Sequence, residues 1–251
     1  MRRVINEYSE SIMERSPGQG CILFREAIRE YLRRNKSIDV SVDRIVVGSG
    51  AEHLYSHIVG ILGRDRIYGI EAPSYEKIKK VYFSSGVDLE YLPLGGDGIL
   101  SDALASTNAS VLHVSPYRSF PTGITATASK RHEYVRWSMG DGRYIVEDDY
   151  ESEFSVLTKA ETNIFAMSDL DNVIYVNTFS RTVSPALRVG YMVLPEHLVE
   201  VYRERLGYQS CSVPTFEQYV LTELILSGDL ERHINRVRRL RRRKQAAEMT
   251  E

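Results

Sequence analysis

Cysteine is scarce in this chain. Two thiols, Cys21 and Cys211, stand far apart among 251 residues and in no CxxC spacing. That excludes a disulfide framework and a zinc ribbon, and it suits a reducing, cytoplasmic setting. No stretch approaches the ~18 consecutive apolar residues of a membrane span. The opening residues, MRRVINEYSE, are basic but carry no apolar run behind them, so they do not read as a secretory signal. Charge of one sign is not in excess either. The 34 acidic and 32 basic side chains leave a net charge of −2, which excludes the whole-chain basic signature of a nucleic-acid binder, though not a local patch. The 43% hydrophobic and 26% charged residues match ordinary globular usage and exclude disorder for the bulk. A chain of this length buries a core without a disulfide or metal staple.

What is present is an alternation of short apolar runs with helical stretches. Ile45–Val47, Ile67–Ile70, Leu89–Leu92, Val111–Val114, Tyr144–Val146, Val173–Val176 and Val189–Leu194 read as seven strands. They are rich in β-branched residues and mostly continuous, as strands buried on both faces of a parallel sheet should be. Leu23, Phe24, Ala27, Ile28, Tyr31 and Leu32 form an apolar stripe at helical spacing. Further helices are expected at Glu52–Leu62, Tyr75–Phe83, Leu100–Ala105, Ser129–Met139, Pro195–Leu206 and from Thr215 onward. The alternation predicts an α/β fold: a seven-stranded, mostly parallel sheet with helices on both faces. Glu217 to Lys244 reads as one long helix weakened at Gly228 and strongly basic at its end, with Ile234, Val237 and Leu240 keeping one apolar edge. Nothing later in the chain would cover that edge, so a partner is expected there: another domain, another chain or further residues.

Three clusters fall at strand ends, where open α/β sheets bind ligands. Gly48-Ser-Gly50-Ala51-Glu52 joins a strand to a helix, and its glycines would let backbone N–H groups approach an anion at the helix N-terminus. It is neither a Walker A motif nor GxGxxG, and an ordinary tight turn reads the same way. Glu147-Asp148-Asp149-Tyr150 follows a strand directly. Three adjacent carboxylates repel unless something cationic faces one of them; a solvated acidic loop and a metal site of hard oxygen ligands are the rivals. Thr178-Phe-Ser180-Arg181-Thr182, with Arg188 seven residues past Arg181, puts two hydroxyls and two guanidiniums after a strand, a phosphate cradle together with Gly50. A fourth element, Ser115 to Gly123, has two prolines and a glycine that fix a loop fit to wall a pocket. His53 and His57 stand at i, i+4, but no third ligand has a recognisable spacing, so a packed pair is favoured over a metal pair. The basic tail favours a solvated helix face over a nucleic-acid contact.

Taken in order, these clusters resemble the fold-type I pyridoxal-phosphate (PLP) aminotransferases of class I/II, most of all the aminotransferase-like domain of MocR/GabR-type regulators. The likeness is carried by Gly18-Gln-Gly20, Phe24 to Leu32, Val47 to Ala51, Glu71-Ala-Pro-Ser-Tyr75, Phe120-Pro-Thr-Gly123, Glu147 to Phe154, Asn177 to Thr182 and Leu187 to Tyr191. It runs from about Ser16 to the end. Each motif alone is modest; their order and spacing together are specific. The resemblance implies that Asp148 pairs with the pyridine nitrogen, Tyr150 bonds the phenolic oxygen and Tyr75 stacks on the ring. Gly50, Ala51, Thr178, Ser180 and Arg188 would hold the phosphate, with Phe120 and Pro121 lining the pocket. It also implies that the last strand runs antiparallel.

Three departures from the family stand out. Where the family has its Schiff-base lysine, this chain has Arg181, and arginine does not lose its proton in proteins. The lysines nearest in sequence are Lys159 and Lys244. Arg118-Ser119 replaces a polar pair before Phe120 and adds a positive charge near the ring. The chain stops where the family's smaller C-terminal domain would begin, and the winged-helix domain of the regulators is also absent. The expected division is a lead segment at 1–15, a PLP-binding large domain at 16–214, and a long basic helix at 215–251 leading towards a C-terminal domain. The implied activity is amino-group transfer between an amino acid and a 2-oxo acid, impaired by Arg181. The alternative is a non-catalytic module of a MocR/GabR-type regulator that senses PLP or an amino acid. The resemblance further implies PLP bound without covalent attachment, a small-molecule amino acid or 2-oxo acid as partner, a homodimer, no metal, no membrane, and nucleic-acid contact only through a winged helix.

Overall fold

Ile45, Val46 and Val47 carry no polar group among them, and every residue of β1 (Ile45–Gly48) is buried. The reason is that both faces of the strand are covered. Ile45 and Val47 pack with Phe24, Ile28 and Tyr175, whereas Val46 packs with Leu54, Ile58 and Met192 on the opposite face. The computed structural model describes residues 2–155 and 162–248. The other strands are β2 (Ile67–Ala72), β3 (Asp88–Gly95), β4 (Gly98–Ile99), β5 (Val111–Val114), β6 (Tyr144–Asp148), β7 (Val173–Thr178) and β8 (Gly190–Val193). All lie in one sheet in the order β1-β8-β7-β6-β5-β2-β3-β4. Pairings from β3 through β2, β5 and β6 to β7 are parallel; β8 is antiparallel to both β7 and β1, as the resemblance implied.

Two expectations change. The described sheet has eight strands rather than seven, because the two-residue β4 folds back antiparallel on the end of β3. Two residues are too few to leave a periodic signal. The long helix expected from Glu217 is two helices, Thr215–Leu226 and Asp229–Glu248. Gly228 between them has φ +72, a left-handed conformation that ends a helix rather than merely weakening it.

Helices cover both faces. Ile22–Lys36 and Thr215–Leu226 pack on Tyr175, Tyr191 and Val193. Ala51–Leu62, Glu76–Ser84 and Glu196–Leu206 pack on Ile70, Ile174, Val176 and Met192. Ser101–Ser106 and Ala128–Trp137 extend the first face over Leu112, Val114 and Ile145. The basic helix uses its apolar edge here: Ile234 is buried and Val237 half-buried in the same core as Phe24, while Leu240 is exposed. No helix among the described residues is long and apolar enough to cross a membrane.

Candidate functional site

The parallel strands bring their carboxyl ends to one edge of the sheet. β1 ends at Gly48, β2 at Ala72, β5 at Val114, β6 at Asp148 and β7 at Thr178; antiparallel β8 begins at the same edge, just after Arg188. In register, Gly190 pairs with both Gly48 and Thr178. The result is a cleft of about 400 Å³ lined by Ala51, Tyr75, Phe120, Asp148, Tyr150, Thr178, Ser180, Arg181 and Arg188, residues spread over more than half the chain. Gly50 stands directly behind: a Cβ there would sit 2.6 Å from Arg188 Nη2. Pro121 and Arg118 are not among the lining residues. The Arg118 Nε lies 4.0 Å from Glu151, and its charge acts on the cleft-lining Tyr150 phenol.

β6 runs on to Asp148 instead of stopping at Val146, so the acidic run begins inside the strand, and it is divided among different environments. Glu147 turns away from the cleft and accepts the Ile164 and Phe165 N–H groups, each at 2.8 Å. Burial, with Asp149 adding to it, pushes its carboxyl up to about 7. Asp149 accepts from Lys36 at 2.7 Å, and Lys36 also reaches Glu153 at 2.9 Å. Burial opposes ionisation of Asp149, but the Lys36 ammonium outweighs it and holds the carboxyl below its usual range. Lys36 is thus the cation the acidic run required, from a helix 113 residues earlier. Asp148 alone of the three lines the cleft. Tyr55 donates to its Oδ2 at 2.6 Å, and His113 Nε2 lies 3.7 Å from the same oxygen. His113 Nδ1 is in turn 2.7 Å from the Tyr82 hydroxyl. Oδ1 of Asp148 is buried and has no hydrogen-bond partner.

At the other end of the cleft, Gly50 adopts φ +92 as the residue before the helix Ala51–Leu62. That conformation is left to glycine, and a side chain would also displace Arg188. Thr178 accepts from the Ser180 N–H at 3.2 Å and caps the short helix Phe179–Thr182, while the Ser180 hydroxyl donates to the Leu187 carbonyl at 2.8 Å. Arg188 is ion-paired with Glu52. At the mouth, Tyr75 and Phe120 meet edge to face with ring centroids 5.5 Å apart. The Tyr150 hydroxyl donates to the Arg118 carbonyl, and the Arg181 guanidinium lies over the Tyr150 ring, 5.8 Å from its centroid. Burial, helped by Glu151, pushes the Tyr150 phenol up to about 12.

Ser115, the first residue of the loop expected to wall a pocket, lines the cleft, as do Glu52 and Glu71 from within motifs noted in the sequence and Tyr55 and Lys77, which were not singled out for it from sequence. Tyr55 and Glu52 share the face of the Ala51 helix that carries Ala51, a one-turn spacing visible in the sequence. Glu71 is buried, accepting from the Ser119 hydroxyl and, at 3.2 Å, from the Ser115 N–H. Burial pushes its carboxyl up to about 8. Lys77 corrects the expectation that no lysine is near. It is the one lysine among the described residues lining the cleft, its Nζ 2.8 Å from Glu52 and 5.9 Å from the Tyr75 ring centroid. Proximity along the chain was the wrong measure. Lys159 lies outside the described residues.

The histidine pair is a packed one. The His53 and His57 rings are 4.1 Å apart, and burial, with His53 adding to it, lowers His57 to about 4. Among the described residues, no group of three or more His, Cys, Asp or Glu is placed to hold a metal ion.

The sequence matches the family described as aminotransferase class I and II over residues 4–249. The chain belongs to that family. The aminotransferase fold is shared with the kynurenine aminotransferase of Pyrococcus horikoshii, at TM-score 0.87 and 22% identity over 99% of this chain and 64% of that one. Among curated relatives it is 26% identical over 242 residues to the uncharacterized HTH-type transcriptional regulator YdeL of Bacillus subtilis, covering 96% of this chain and 52% of that protein. It is 25% identical over 217 residues to the probable rhizopine catabolism regulatory protein MocR of Rhizobium meliloti, covering 86% of this chain and 44% of that one. This class I and II aminotransferase chain spans about half the length of the curated relatives it matches.

Proposed function

We propose that the cleft holds pyridoxal phosphate through non-covalent contacts alone, and that the chain is the ligand-sensing, aminotransferase-like part of a MocR-type regulator rather than a competent transaminase. Arg181 carries this reading. It stands in the short helix after β7, inside the cleft and against Tyr150, and the sequence resemblance aligns it with the family's lysine. A guanidinium stays protonated, so it neither attacks a carbonyl nor relays a proton. Lys77 does not replace it. Its hydrogen bond to Glu52 raises its pKa, and the ammonium remains protonated beside Glu52 and Arg188.

The residues fit the cofactor. The unpartnered, buried Oδ1 of Asp148 suits a protonated ring nitrogen, and Tyr55 fixes the carboxylate by holding Oδ2. Tyr75 offers its ring face, braced by Phe120, and Tyr150 is the candidate partner of the phenolic oxygen. Gly50, Ala51, Thr178, Ser180 and Arg188 would receive the phosphate at a helix N-terminus. When bound, the cofactor supplies an electron-withdrawing ring that stabilises negative charge on an amino acid's α-carbon. In this chain, Asp148 would keep the ring protonated, while the base that moves the α-proton is missing at position 181. The regulator reading is supported by the relatives, two HTH-type or regulatory proteins about twice as long. We include in the proposal the division into 1–15, 16–214 and 215–251, a homodimer in the cytoplasm, and an amino acid or 2-oxo acid as the second ligand.

The test is a PLP titration followed between about 330 and 430 nm, with borohydride reduction and mass spectrometry on the same samples. Saturable spectral change with no reduced adduct is expected. No spectral change at saturating PLP, or a reduced adduct on this chain, would overturn the proposal.

A further inference from the structure

We propose that Glu52 sets how tightly this cleft holds a phosphate, by competing with it for Arg188, and that Lys77 moderates the competition by sharing the Glu52 charge. The inference rests on the phosphate-binding reading given above and adds to it two residues with no place in the family pattern quoted from sequence.

Glu52 is the second residue of the helix Ala51–Leu62, whose N-terminal turn faces the cleft. Its two carboxylate oxygens serve two different cations. One is paired with the Arg188 guanidinium and the other accepts from Lys77 Nζ at 2.8 Å. Burial opposes ionisation of Glu52, but Lys77 and Arg188 outweigh it and hold the carboxyl below its usual range, so the group is an anion at neutral pH. A helix N-terminus attracts one anion well. Here the protein supplies an anion of its own at that place, the Glu52 carboxylate, which also bonds its own backbone N–H.

A phosphate entering the cradle therefore meets Glu52 twice. It is repelled by the carboxylate, and it must share or take the guanidinium that Glu52 holds. Arg188 is positioned for the exchange. It lies against Gly50, so close that even a methyl group there would overlap it, and its side chain is about half exposed, so a ligand in the cleft can reach it. Lys77 keeps one oxygen of Glu52 neutralised after Arg188 has turned. Removing Lys77 would leave the whole Glu52 charge facing the phosphate. The Glu52 effect should be confined to ligands that carry the phosphate, because Asp148, Tyr75 and Phe120, the proposed ring partners, are held by Tyr55 and by each other rather than by Glu52. Lys77 also touches Tyr75, so the comparison with a phosphate-free ligand is read on Glu52.

The experiment uses the chain as it stands with Glu52→Gln, Lys77→Met and the double variant. Each is titrated with PLP, with pyridoxal, which lacks the phosphate, and with inorganic phosphate as a competitor; circular dichroism checks the fold. Glu52→Gln should tighten PLP about two- to fivefold, the range of a partly exposed charge pair, and should strengthen phosphate competition alike. Lys77→Met should weaken PLP by a similar factor. In the Glu52→Gln background, Lys77→Met should have no further phosphate-dependent effect, and pyridoxal should bind the parent and Glu52→Gln equally. The pyridoxal affinity of the Lys77→Met proteins measures the separate contact with Tyr75 and is subtracted. PLP binding of equal strength in all four overturns this inference and leaves the cofactor reading standing. A phosphate-dependent Lys77→Met effect that persists without Glu52, beyond any change in pyridoxal binding, also overturns it, because Lys77 then contacts the phosphate directly. PLP bound by none of the four overturns both readings.

Discussion

Tyr55 donates a hydrogen bond to Oδ2 of Asp148 at 2.6 Å, and Oδ1 of the same carboxylate has no partner although the residue is 4% exposed. A buried carboxylate oxygen without a donor is costly unless something outside the chain supplies one. The helix that carries Tyr55 begins at Ala51, so one element brings its N-terminus to the cleft beside Arg188 and, a turn later, holds the aspartate that also lines it.

Asp148→Asn should weaken PLP about 10- to 100-fold. The change removes a charge-assisted hydrogen bond of about 1.5–3 kcal/mol. Tyr55→Phe should weaken PLP less, because the carboxylate stays but loses its orientation. Both are read by the same absorbance titration.

Arg181→Lys should create a covalent site. After PLP and borohydride, peptide mapping should find the pyridoxyl mass on position 181 of the variant and nowhere on the parent chain. A label on Lys77 of the parent would show that the cleft lysine attacks the cofactor and would sink the non-covalent reading.

Gly50→Ala should cost about 1–3 kcal/mol of stability, because alanine must adopt φ +92. It should also displace Arg188, whose Nη2 lies 2.6 Å from the new Cβ position. Thermal melts should show the first effect. Loss of phosphate competition, with pyridoxal binding retained, should show the second.

Glu71 makes stability fall as pH rises. Folded, its carboxyl keeps the proton to about pH 8; unfolded, it releases the proton near the ordinary 4.5. Stability is full below pH 4.5 and is lost progressively up to about pH 8, because only the unfolded state gains by ionising. Glu71→Gln should remove this slope. Its carbonyl can still accept from Ser115, and the Ser119 hydroxyl can turn to accept from its amide. The melting temperature of the variant relative to the parent should therefore rise from pH 5 to pH 9; a constant difference would refute the assignment.

Lys36→Met should cost about 3–5 kcal/mol at neutral pH, since it leaves Asp149 and Glu153 as buried carboxylates without their shared cation. Asp149 is held below its usual range by Lys36, so its contribution is present at neutral pH and lost on acidification. The destabilisation, read by urea unfolding, should shrink as pH falls below 4.

The sequence by itself determined the α/β class, the principal strands and the loops that carry the cleft. Runs such as Ile45–Val47 and Val173–Val176 are continuous because both faces of the sheet are covered, and continuity is a local property that a sequence displays. Gly50, Asp148 and Arg188 were legible for a related reason: each lies within a few residues of a strand end, and parallel strands bring those ends together. Tertiary structure alone decided what meets what. Lys36 reaches Asp149 across 113 residues, and Lys77 enters the cleft from a different strand–helix connection than Arg181. The three neighbouring carboxylates separate because successive residues at the end of a strand face opposite sides of the sheet, so Glu147, Asp148 and Asp149 find three different sets of partners. Spacing along a chain does not encode such meetings, because the sheet order that creates them is set by packing of the whole domain.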